Sequence, residues 1–188
     1  MLRLARTFEL LAAALDRLEV RYAVVGSVAS SARGSYRATE DIDVLARIRP
    51  EQAADLSLAL GKDWYADADQ MRDAIAAGRA FNLIYIPFSQ KVDVFPEKDE
   101  FCSAQLQRAT TLPLPALGTG DEYPVASAED TVLAKLQWYQ AGGEISERQW
   151  TDIVKVIRAT PEMDWAYVES WAVRLRVDGL LARARTES

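Results

Sequence analysis

The chain has 188 residues, a formal net charge of −6, one cysteine and no histidine, which is enough length for one domain with a sizeable core. A lone Cys102 excludes an internal disulfide, and the lack of histidine removes the usual zinc ligand and the usual general base, so any base must be a carboxylate, lysine or tyrosine. Residues 1–145 hold 15 basic and 21 acidic side chains and residues 146–188 seven of each, a balance that argues against broad, nonspecific nucleic-acid binding while leaving room for a local basic groove.

In chain order, Leu2 to Leu18 sets Leu4, Phe8, Leu11, Ala12, Leu15 and Leu18 at the period of an amphipathic helix that should pack on a sheet. No apolar run approaches the ~20 residues of a membrane span, and Met1–Arg6 leads into this helical pattern rather than a signal-peptide core, so a cytoplasmic protein without membrane contact is expected. Val20–Val25 is expected as the first strand, Ser27–Ala32 as a short helix and Asp41–Ala46 as the second strand. Pro50 suits the first position of a helix over Glu51–Leu60 that Gly61 ends. Asp67–Ala77 reads as a helix closed by Gly78, and strands Phe81–Ile86 and Lys91–Phe95 follow, separated by Pro87-Phe88-Ser89-Gln90. Leu112-Pro-Leu-Pro and Gly118-Thr-Gly-Asp mark a loop-rich passage with one edge strand near Tyr123–Ala126. From Ser127 the pattern is helical, over Ser127–Gln140, Ser146–Arg158 and Asp164–Val177, with a short tail. The irregular alternation predicts an α/β (α+β) fold, a small mixed sheet with flanking helices, in which residues 1–126 form the core and 127–188 a helical region packed on it.

Chemistry concentrates between Gly26 and Asp43. Gly26 permits a tight turn after the first strand, and Ser27 can cap the helix whose first turn would present free N–H groups to an anion such as phosphate. Asp41 and Asp43 are spaced i, i+2, so both carboxylates project from one face of a strand while Ile42 and Val44 enter the core. At about 6.6 Å and an effective dielectric near 20 they repel by roughly 2.5 kcal/mol, a sign that a divalent cation would reverse. Asp93, between Val92 and Val94, projects opposite to those two and can complete the metal site, or be a solvated strand charge.

Gly26-Ser27, a short helix and Asp41-Ile42-Asp43 on the next strand resemble the nucleotidyltransferases related to DNA polymerase beta. The form Arg37-x-Thr39-x-Asp41-Ile42-Asp43 is most similar to the bacterial branch of AbiEii-type toxins and their relatives. The resemblance implies a nucleotidyltransferase-type sheet with a C-terminal helical lobe, and Asp41, Asp43 and Asp93 as catalytic carboxylates on Mg2+ or Mn2+. Lys91-Val92-Asp93-Val94-Phe95 matches the hydrophobic-Asp-hydrophobic strand that carries the family's third acid. Ser127 to Leu136 fits a family helix whose lysine, here Lys135, contacts the triphosphate; the alternative is that Lys135 snorkels along the helix edge. Arg148, Trp150, Asp152 and Ile153 fall where AbiEii-type proteins carry Lys-Asp-hydrophobic-x-Asp-Ile. Arg148 replaces the lysine and Gln149 the first aspartate, which leaves Arg148 and Asp152 as nucleotide contacts or as a helix-surface pair worth about 0.3–0.5 kcal/mol.

Arg33 and Arg37 flank the Gly34-Ser35 turn, where they can reach a triphosphate or offset neighbouring acids. Trp138, Tyr139, Trp150, Trp165, Tyr167 and Trp171 sit mostly at helical spacing, which favours packing over base stacking. The combined reading is a metal-dependent transfer of a nucleoside monophosphate from an NTP to an acceptor hydroxyl. Gly26, Ser27, Arg37, Lys135, Arg148 and Asp152 would bind the nucleotide, and tRNA, a protein or a small molecule would accept it. A cognate antitoxin is a further expected partner. The alternatives are a catalytically silent nucleotide- or partner-binding protein and a purely structural or antitoxin-interacting module with the same fold.

Overall fold

The computed structural model describes residues 2–35, 39, 41–114, 117 and 121–188. Arg37, expected at the nucleotide, lies outside them. The strands are β1 (Tyr22–Val24), β2 (Ile42–Ala46), β3 (Trp64–Tyr65), β4 (Phe81–Tyr85), β5 (Gln90–Pro96), β6 (Thr110–Pro113) and β7 (Glu122–Val125), joined in one mixed sheet of order β3-β4-β5-β2-β1-β7-β6. The helices are α1 (Leu2–Arg17), α2 (Gly26–Ala32), α3 (Ala53–Leu60), α4 (Ala68–Ala76), α5 (Glu100–Arg108), α6 (Ala128–Ala141), α7 (Glu147–Arg158), α8 (Trp165–Leu175) and α9 (Asp178–Glu187).

The alternation of β2 and β5 divides the sheet into two faces. Ile42, Val44, Val92 and Val94 are fully buried in one cluster with Phe8, Leu11 and Leu15 of α1, Leu56 of α3 and Met71 of α4. Leu45 and Ala23 meet Cys102 and Leu106 of α5 on the other face, with Phe95 packed beside them. A third cluster joins α6 to α9 through Val132, Leu133, Leu136, Ile153, Val168 and Leu181, and draws in Phe101 of α5. No helix among the described residues is long and apolar enough to cross a membrane.

Several elements depart from the sequence expectation. The stretch near Tyr123 is not an edge strand: β7 lies between β1, which it parallels, and β6. The true edges are β3 and β6. Both are too short, or too rich in proline and polar residues, to show alternation. Asp99 starts the unanticipated α5 by accepting from the Cys102 N–H at 2.8 Å. The tail is also a helix, α9, because Leu181 and Ala184 are buried against the C-terminal cluster.

Candidate active site

Gly26 opens α2 with φ +61, a conformation open to glycine at little cost. A Cβ placed there would come within 2.0 Å of the Asp43 Oδ2. The space reserved by Gly26 is therefore filled by a carboxylate, and the glycine is needed so that Asp43 can lie across the start of α2. Ser27 is not the helix cap expected from sequence; Val25 holds that position without a side-chain cap bond. The Ser27 backbone N–H instead donates to the Asp43 carboxylate. Val25 N–H also donates to the Asp43 carbonyl at 3.0 Å, so strand pairing and helix start grip the same residue.

In the parallel pairing of β2 with β5, Asp43 stands directly beside Asp93. Directly opposed residues share a face, so the two carboxylates share the face that α5 covers. Asp41 precedes β2 and is exposed. Burial, then the Asp93 and Asp41 charges, push the Asp43 carboxyl up to about 6; the Ser27 N–H and the Lys135 ammonium oppose that rise. Asp93 is held by Lys91 Nζ at 2.8 Å.

Lys135 lies 2.9 Å from Asp152 Oδ2. Asp152, expected at the nucleotide, is only 2% exposed and also accepts from Ser35 Oγ at 2.8 Å. Its partner is Lys135 rather than Arg148, which stays exposed at the start of α7. Asp152 thus ties α7 to Lys135 of α6 and to Ser35 just after α2. Arg33 donates to the Ala126 carbonyl at 2.9 Å and to Thr110 Oγ1 at 2.7 Å, tying α2 to the β6–β7 end of the sheet rather than reaching into a site. Glu129 and Asp130 do more than face a helix dipole. Asp130, fully buried, accepts from Ser127 Oγ at 2.9 Å and Tyr167 Oη at 2.6 Å, and Glu129 accepts from the Asp164 N–H at 3.1 Å.

These elements border a cleft of ≈ 1020 Å³ whose lining includes Gly26, Ser27, Asp43, Lys135 and Arg148. Sequence reasoning missed Lys98 and Trp138 in the same cleft. Lys98 carried no motif, and Trp138 shares a helix with buried aromatics. That volume is at the upper end of the roughly 300–1,000 Å³ of small-molecule sites. The donor set suits a hard divalent cation of the Mg2+ kind, which binds through one or two carboxylates, retains waters and takes its other ligands from substrate phosphates. No three Asp, Glu or Cys side chains converge as a preformed cage among the described residues. Asp43, with Asp41 or Asp93 beside it, would supply the one or two oxygens such an ion needs.

No family model and no curated protein matches the sequence. Solved structures do. The solution structure of the antibiotic-resistance factor ANT(2'')-Ia aligns with 97% of this chain and 97% of its own, at 15% identity and a TM-score of 0.55. The crystal structure of ANT(2'')-Ia with adenylyl-2''-tobramycin gives 0.54 at 15% identity over 92% of this chain and 96% of the other. An antigenic nucleotidyltransferase-like protein from Paracoccidioides brasiliensis gives 0.51 at 21% identity over 98% and 93%. The fold is that of nucleotidyltransferases, and it spans nearly the whole chain.

Proposed function

We propose that this chain transfers a nucleoside monophosphate from an NTP to an acceptor hydroxyl. The observation that carries this reading is the register that sets Asp43 beside Asp93, with Asp43 lining a cleft of nucleotide size and held by the Ser27 N–H. Asp41, Asp43 and Asp93 would hold Mg2+ or Mn2+, which when bound neutralises phosphate charge and stabilises the attacking and leaving oxygens. The chain's own residues supply the rest. Gly26 and Ser27 border the phosphates, Lys135 is aimed by Asp152 and Ser35, and Arg148 and Arg37 add positive charge. The acceptor oxygen bonds to the α-phosphorus, the bond from that phosphorus to the bridging oxygen breaks, and pyrophosphate leaves. Asp93 takes the hydroxyl proton.

The cleft lining carries Arg79, Lys98, Lys135 and Arg148 against Asp43 and Asp99. Within the superfamily the AbiEii-type resemblance points to a cytoplasmic toxin. Growth arrest on expression, relieved by a protein encoded beside it, would test that role.

Incubation with each labelled NTP, Mg2+ and candidate acceptors (tRNA, protein, small hydroxylated compounds) tests the transfer itself. Asp93→Asn is expected to bind magnesium–NTP nearly as well as the parent and to transfer at least about 100-fold more slowly. Equal turnover would remove Asp93 from the chemistry. The Lys91–Asp93 ion pair favours a second reading, a nucleotide-binding protein without turnover, which an inactive parent that still binds magnesium–NTP would establish.

A further inference from the structure

The cleft continues past the acids along α6. Two residues beyond Asp93 on β5, about 6.6 Å along the strand, Phe95 meets Trp138 edge to face, with ring centroids 6.0 Å apart at 70°. Trp138 is one of the few large apolar side chains left open to solvent, at 58% exposure, and it lines the same cleft as Asp43. Other aromatics of the helical region are spent on packing: Tyr139 packs at a tilt on Trp150, and Trp171 contacts Phe101 and Tyr167. Trp138 is held by Phe95 at one edge and keeps much of its surface for something else.

Its surroundings define what that is. Gln137 and Gln149 line the same cleft, and neither side-chain amide has a partner among the described residues. An amide offers both donor and acceptor, the pattern that reads the edge of a heteroaromatic ring. Lys98 and Arg148 border the same space, exposed and without an ion-pair partner among the described residues. Asp99, which also lines the cleft, caps α5 by accepting the Cys102 N–H. One turn before Lys135, Thr131 also lines the cleft, and its buried hydroxyl lacks a hydrogen-bond partner. Stacking surface, uncharged amides and the Lys98 and Arg148 side chains together recognise a planar base joined to a phosphate.

We propose that Trp138, backed by Phe95, is a stacking platform for a nucleobase, which makes this end of the cleft a nucleotide subsite. The inference rests on the transfer reading above and deepens it. The base has two sources, the donor NTP or the last nucleotide of a nucleic-acid acceptor, and both present the same chemistry.

The test compares the parent with Trp138→Ala and Trp138→Phe by calorimetry. The titrants are a magnesium complex of a non-hydrolysable ATP analogue, a short single-stranded RNA without NTP, and inorganic tripolyphosphate with Mg2+. Trp138 is exposed, so its truncation leaves the core intact. Trp138→Ala is expected to weaken one base-bearing ligand at least about tenfold. Trp138→Phe should keep that binding within about threefold, and tripolyphosphate should bind equally to all three. Loss in the ATP arm assigns the donor base and loss in the RNA arm the acceptor base. Unchanged binding of both base-bearing ligands, or an equal loss for tripolyphosphate, overturns the platform. If Asp43→Asn abolishes transfer while Trp138→Ala binds normally, the platform fails and the transfer reading stands. A parent that binds none of the three ligands ends both.

Discussion

At the scale of single residues, Asp43 is where folding and chemistry oppose each other. Its carboxyl is pushed up to about 6, from an ordinary value of 3.8, by burial and by Asp93 and Asp41. A folded value above the unfolded one means that the protonated acid favours the fold. That contribution is complete below the ordinary value and is lost as pH rises through about 6. Discounted for partial exposure, the ionised group costs about 1–2 kcal/mol at neutral pH in metal-free protein. Asp43→Asn is therefore expected to raise Tm by about 2–8 °C at pH 8 in the presence of chelator, and by almost nothing at pH 4. Thermal melts across that range check it, and a fall of several degrees would make the carboxylate structural. Gly26→Ala belongs to the same spot. Its Cβ would lie 2.0 Å from Asp43 Oδ2 at φ +61, so this substitution should cost about 1–3 kcal/mol and weaken magnesium–NTP binding together. Reading Gly26 as room for a triphosphate alone would have binding fall before stability. Paired calorimetry and urea unfolding distinguish the two.

At the scale of elements, α2, α6 and α7 are locked by one buried polar group. Asp152 of α7 accepts from Lys135 of α6 and from Ser35, just after α2. Gly34 lets that turn approach α7, since a Cβ there would sit 2.2 Å from the Ala159 Cβ. Removing one partner strands the other's charge. Asp152→Ala should cost about 3–5 kcal/mol, and replacing Lys135 and Asp152 together by apolar residues should recover much of it. Urea unfolding of the single and double variants measures the coupling, and additive losses would mean the pair does not act as a unit. The pairing explains why sequence alone offered Arg148 as the partner of Asp152. Its i, i+4 spacing from Arg148 was visible, but a partner 17 residues upstream is chosen by how α7 packs on α6. The elements themselves were legible where a period had length to show. α1, α6 and α7 follow from apolar spacing, and β2 and β5 from alternation around Asp43 and Asp93. α5 and α9 were not, because each buries few residues and Phe101 and Leu181 find their partners only in the C-terminal cluster.

At the scale of the whole molecule, the stretch before residue 127 and the helices after it share their interiors. Phe101 of α5 packs on Trp171 of α8 at 5.2 Å, Arg174 pairs with Glu100, and Arg33 holds the Ala126 carbonyl at the head of α6. The chain is accordingly expected to unfold in one transition, with far-UV circular dichroism and tryptophan fluorescence coincident in urea. Two separated transitions would mark residue 126 as a true domain boundary. The sequence by itself determined the acids, the glycine turn and the mixed αβ alternation, because these depend on spacing within about twenty residues. Only the tertiary structure decided that Asp43 meets Asp93, that Asp152 turns to Lys135, and that Trp138 remains open beside the acids. Strand register and helix packing join side chains on separate elements, and local periodicity carries no information about which partner on another element a side chain will meet.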